Sequence, residues 1–146
     1  MNHIFIRASN AVFSNDLVTR KSTEGYLFTL FRGLINWQSI KQKLVTKLSI
    51  EVELLALLHA ATKSIWWQWF FKEVRFHTKE KQVIYYNNLQ TICLLTKSNV
   101  ELNTKLWHIN IHYYWLYQEV YKGIINIKWV PTADITADGL TKALPH

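Results

Sequence analysis

The sequence predicts a single α/β domain in which helices pack on one mixed sheet. Three observations lead there. A chain of 146 residues has room for about one hydrophobic core. Its first third is rich in β-formers, and after that helical periods alternate with short apolar runs. With only 4 Gly and 2 Pro, no stretch reads as a linker or a repeat, so residues 1–146 form one domain.

The elements follow in order. Residues 4–9, 25–31 and 34–37 read as strands, and Gly33 brings the last two close enough for a hairpin, which makes an antiparallel meander. From residue 49 to 74 the period changes to helical, with Leu54, Leu58, Ala61, Ile65 and Trp69 as the apolar stripe and Glu51, Thr62, Lys63 and Lys72 as polar positions. Ser49 is the expected N-cap, with Glu51 and Glu53 placed favourably near the positive end of the helix. Residues 82–86 read as a buried strand and 88–97 as a short helix. Within 104–121, Ile109, Tyr113, Leu116 and Val120 mark another helix that stops at Gly123. A β-branched run over 124–130 ends at Pro131, and residues 138–144 begin a last helix that the chain end truncates.

Composition removes several classes. A lone Cys93 cannot form an intrachain disulfide, which excludes disulfide scaffolds and cysteine-based zinc modules and favours a reducing compartment. The apolar stretch 54–71 is interrupted by His59, Lys63 and Gln68 and does not read as a membrane span. The first residues lack a signal-peptide pattern, so the expected setting is intracellular, cytoplasm or nucleus, with no membrane partner. Against 17 Lys and Arg stand 10 Asp and Glu, a net charge of +7 that favours an anionic partner such as nucleic acid.

Because carboxylates are scarce, their positions carry information. Glu53 near the start of the long helix and Asp138 near the start of the last one can both present a carboxylate at a sheet edge. Metal-dependent phosphodiester chemistry needs a cluster of such groups, since paired divalent ions must be neutralised and held. Two alone are a weak signal, and either could simply be a helix N-terminal charge.

Several strings, taken in order, are more specific. Thr19-Arg20-Lys21-Ser22, Gly25-Tyr26-Leu27-Phe28, Trp37, the run from Ser49 through Glu53 to Leu57, Thr104-Lys105 followed by His108, Trp129-Val130-Pro131-Thr132, and Ala137-Asp138-Gly139-Leu140-Thr141-Lys142 span nearly the whole chain. In that order the chain resembles the ribonuclease H domain that closes the polyprotein of copia-type retrotransposons. The resemblance implies a ribonuclease H-like mixed five-stranded sheet, an antiparallel meander plus two parallel strands, with helices on both faces. It also implies magnesium-dependent cutting of the RNA strand of an RNA/DNA hybrid by four carboxylates, and no small-molecule cofactor.

Carried over by position, the first-helix Glu is Glu53 and the last-helix Asp is Asp138. The other two ligand positions depart from the pattern: Ser-Asp-Ala reads Ser9-Asn10-Ala11, and the Asp-Asn pair ending the fourth strand reads Asn87-Asn88. An amide can offer magnesium an oxygen but no charge. A carboxylate roughly 4 Å from a cation contributes on the order of 4 kcal/mol at an effective dielectric near 20. Losing two such groups weakens metal occupancy strongly, so the expected function is a catalytically impaired domain that binds RNA/DNA hybrid. A slow ribonuclease using magnesium or manganese, and a protein-interaction module using exposed Trp, are the alternatives. Asn15 and Asn110 stand where the family commonly has Asp, which fits decay of a transposon-derived frame.

Arg20, Lys21, Lys41, Lys43 and Lys47 are the candidate phosphate contacts, with a solvated basic face as the plainer reading. His108 carries over as a polar contact on the nucleic-acid side. His108 and His112 have the i, i+4 spacing of a zinc pair but lack a third ligand. Of Trp66, Trp67 and Trp69, two are expected to pack on the sheet and one to face solvent. Tyr85-Tyr86-Asn87-Asn88 looks like a worn polymerase turn, but its strand-then-helix context fits ribonuclease H better.

Overall fold

The computed structural model describes residues 5–13, 17–43, 45, 48–78, 83–97 and 107–134. Strands β1 (Phe5–Val12), β2 (Thr23–Leu30) and β3 (Gly33–Lys41) precede helix α1 (Ser49–Glu73). Then come β4 (Val83–Tyr86), α2 (Leu89–Thr96), α3 (Trp107–Tyr121), β5 (Asn126–Trp129) and a 3-10 turn (Thr132–Asp134). The sheet order is β3-β2-β1-β4-β5. β1 pairs antiparallel with β2 from Phe5↔Leu30 to Val12↔Thr23 and parallel with β4 through Arg7↔Ile84 and Ala8↔Tyr85. β4 and β5 are also parallel. The mixed five-stranded sheet expected from the sequence is therefore present.

Strand alternation divides the sheet's two faces. Phe5, Tyr26, Phe28, Ile84 and Tyr86 point to one side, where they share a core with Leu54, Leu57, Ala60 and Ala61 of α1, Leu94 and Leu95 of α2, and Tyr113 and Leu116 of α3. Edge-to-face ring contacts, Phe5 with Phe28 at 5.8 Å and with Phe71 at 5.2 Å, tie β1 to β2 and α1. Ala8 lies on the other face with Leu27 and Val130. All three described helices cover the Phe5 face. The expected helix over 138–144 lies outside the described residues.

Two local expectations are corrected. Leu48, not Ser49, is the N-cap of α1, and it has no side-chain cap. Glu51 instead accepts the Leu48 backbone N–H at 3.3 Å, so a buried carboxylate does the capping from within the first turn. The expected apolar stripe of α1 is buried at Leu54, Leu58 and Ala61 and half-buried at Ile65, but Trp69 is 58% exposed, and Trp66 is 49% exposed. At about 100° per residue, Leu57, Ser64 and Phe71 stay on one face while Trp66 lies roughly opposite. Only Trp67 packs on the core, so two of the three indoles face solvent rather than one. In α3, Ile109, Tyr113 and Leu116 are buried as expected. Among the described residues no helix is long and apolar enough to cross a membrane.

Candidate functional site

The parallel register that pairs Ala8 with Tyr85, carried two residues further, sets Asn10 beside Asn87 at the C-terminal ends of β1 and β4. β1 has an antiparallel neighbour on one side and a parallel one on the other, and the crevice at such strand ends is where open α/β sheets hold ligands. Asn10 is buried and pairs with Gly25. By strand alternation it shares the face of Ala8, whereas Ser9 faces α1 and donates to the Ala56 carbonyl at 3.3 Å. Asn87 donates its side-chain Nδ2 to Thr132 Oγ1 at 3.2 Å, and its backbone carbonyl accepts the Trp129 indole N–H at 3.2 Å.

Glu53 approaches this edge from α1. Its carboxylate receives a short hydrogen bond from the Tyr86 hydroxyl, which also lies 3.0 Å from the Glu53 backbone carbonyl. The Asn88 side chain hydrogen-bonds it as well. Burial pushes the Glu53 carboxyl above its ordinary range, and those two hydrogen bonds pull it part of the way back. Asn88 is at the same time the N-cap of α2, accepting the Thr91 N–H at 3.0 Å. Asp138 lies outside the described residues.

The donor set can be tested against the metal that the family resemblance implies. Hard divalent ions want several anionic oxygens. Among the described residues the edge offers one carboxylate, already taken up by a phenol and an amide, and two amides, one of which donates its Nδ2 to a threonine. Among the described residues no group of three or more His, Cys, Asp or Glu side chains stands close enough to hold an ion. These residues do not fit a magnesium pair. The zinc reading of His108 and His112 gains nothing either. His112 is exposed and its pKa is lowered, first by burial and then by its histidine neighbours.

The basic candidates converge. Thr23 pairs with Lys41 and Gln42 N donates to Ser22 O at 2.8 Å, so Lys21 leads into the strand that runs beside Lys41 and Lys43, and Arg20 precedes it at a left-handed backbone position. Because Val12 pairs with Thr23, this rim borders the same end of the sheet as Asn10. Arg20, Lys41 and Lys43 are exposed and Lys21 is half-buried. Lys47 lies outside the described residues. His108, in the first turn of α3, is half-buried, and its Nε2 is closed from solvent with no hydrogen-bond partner among the described residues.

Two groups escaped the sequence reading. Tyr86 and Asn88 flank the vacated Asn87 and hold Glu53. Glu24 is buried on β2, where its Oε2 accepts Gln42 Nε2 at 2.7 Å and its Oε1 pairs with His59 of α1. Its signal was available, since Glu24 has the same parity as the inward-facing Tyr26 and Phe28.

The comparisons with known proteins agree with this fold. No family model matches the chain. Over 138 residues it is 34% identical to the retrovirus-related Pol polyprotein of transposon TNT 1-94 from Nicotiana tabacum, covering 94% of this chain and 10% of that protein. The chain thus spans about a tenth of the length of that relative. Among solved structures, LC11 ribonuclease H1, isolated from compost by a metagenomic approach, superposes with a TM-score of 0.66 at 12% identity, covering 96% of this chain and 93% of that one. The foamy viral protease-reverse transcriptase, solved in complex with RNA/DNA hybrid, gives a TM-score of 0.58 at 18% identity over 96% of this chain and 20% of that one.

Proposed function

This chain is a ribonuclease H-like domain of the copia-type, retrovirus-related Pol polyprotein family, and from that premise we propose that it binds RNA/DNA hybrid without cutting it efficiently. The observation that carries this reading is the donor set at the ends of β1 and β4. Asn10 and Asn87 replace two charges, and Glu53 is held by Tyr86 and Asn88. Binding draws on the basic rim of Arg20, Lys21, Lys41 and Lys43, which can contact phosphates beside that edge. Lys47 belongs to the same basic stretch of sequence.

The test is a hybrid-cleavage assay with magnesium or manganese, on the wild type and on Asn10→Asp combined with Asn87→Asp. Wild type is expected at the level of the protein-free control. The double variant is expected above it by about tenfold or more, since each 1.4 kcal/mol of recovered transition-state stabilisation is worth a factor of ten. Wild-type cleavage at the rate of the double variant overturns the proposal and supports the active enzyme. A second reading, a protein-interaction module, is favoured by the exposure of Trp66 and Trp69 beside the exposed Phe70.

A further inference from the structure

Tyr86 is fully buried, 0% exposed, at the end of β4, with its ring in the core beneath α1 and its hydroxyl on the Glu53 carboxylate. A phenol has one proton to give. Of the two Glu53 oxygens within its reach, a carboxylate is the stronger acceptor and a backbone carbonyl the weaker. From the other side of Asn87, the Asn88 amide gives Glu53 a second hydrogen bond. Asn88 is itself fixed, because its carbonyl oxygen caps α2 through Thr91 N. A carboxylate thus sits between two donors that belong to a packed strand and a helix cap. Donors aimed at its lone pairs compete with a cation for them.

We propose that Tyr86 and Asn88 hold Glu53 as a structural hydrogen-bond acceptor, so that divalent-ion binding at this site is weakened by a restraint separate from the loss of charge at Asn10 and Asn87. This rests on the reading of the domain as catalytically impaired and deepens it. Restoring both aspartates recovers the charge and leaves this restraint in place. Tyr86 is a positioning residue here, and the Phe side chain isolates its role by keeping the ring in the core while removing the hydroxyl.

Manganese alone is the probe, titrated by calorimetry and by the paramagnetic resonance of the free ion. Four proteins are compared: wild type, Tyr86→Phe, the Asn10→Asp and Asn87→Asp double variant, and the triple variant that adds Tyr86→Phe. The triple variant is expected to bind manganese about tenfold tighter than the double variant, the scale of one hydrogen bond to a charged group. Equal affinity overturns the proposal. A change confined to packing would move the melting temperature and leave the affinity where it was. A second measurement needs only wild type and Glu53→Ala. The Tyr86 hydroxyl proton is expected as a slowly exchanging resonance in wild type that disappears in Glu53→Ala, and its absence from wild type also overturns the proposal. Cleavage of hybrid by wild type would sink the impaired-enzyme reading whatever the manganese titrations give, so the two failures are distinguishable.

Discussion

At the scale of single residues, two buried carboxylates serve structure. Glu24 and Glu51 are both buried, Glu24 bonded to Gln42 and His59 and Glu51 to the Leu48 amide. Gln42 also donates to Val52 O at 3.0 Å, so Glu24 links β2, the segment after β3 and α1. The hydrogen bond that His59 donates to Glu24 raises the His59 pKa above its ordinary value, outweighing burial and the nearby Lys63 and Lys43, which act the other way. The folded chain then holds the proton more tightly than the unfolded one. The resulting stability is fully present below about pH 6.5 and is lost as pH rises through the higher folded value. Thermal melts of wild type and His59→Gln should therefore differ more at about pH 5.5 than at about pH 9. An equal difference at both would show that the pair adds no proton-linked stability. His59 itself read as an interruption in an apolar stretch, because its partner lies 35 residues away in sequence and nothing local names it.

At the scale of elements, the two long helices end alike on different residues. After α3, Gly123 takes a φ of +73, Gly123 N donates to Val120 O at 3.0 Å and Ile124 N to Glu119 O at 3.1 Å. After α1, Arg75 takes a φ of +55, with Arg75 N on Lys72 O at 3.1 Å and Phe76 N on Phe71 O at 2.8 Å. Both are Schellman endings, which favour glycine at the left-handed position. Arg75→Gly should raise stability by about 1 kcal/mol and Gly123→Ala should lower it by about the same, read by denaturant unfolding. The Gly123 stop was legible in the sequence because the residue type announces the conformation. The Arg75 stop and the start at Leu48 were not, because those residues are imposed on by their surroundings. The same holds for the exposed indoles of α1: an i, i+4 count drifts around a 25-residue helix, and only the packed sheet fixes which side is inward.

For the whole molecule, the antiparallel meander and the two parallel strands were legible through the family resemblance, and the Asn at positions 10 and 87 is visible in the sequence where the family pattern has Asp. The hold on Glu53 was not, because Tyr86 reads as an ordinary buried strand residue until α1 is docked on it. The net charge of +7 includes Arg20, Lys21, Lys41 and Lys43 at the end of β2 and β3. If that rim carries hybrid binding, the affinity should fall with salt at a log-log slope of about 0.9 per phosphate contact, and Lys41→Ala with Lys43→Ala should reduce the slope by about 2. An unchanged slope places the contacts elsewhere, and a salt-insensitive, concentration-dependent dimer would favour the Trp surface as the working face.

The position of β1 in the sheet has one more consequence. It is the middle strand of five, laddered on both sides and roofed by α1, so Asn10 rides on the part of the chain with the most neighbours to restrain it. An exchange of oxygen for nitrogen in that side chain erases a charge without disturbing a ladder, a ring contact or a cap. Architecture and chemistry are therefore uncoupled at this position, and the same scaffold accepts either side chain.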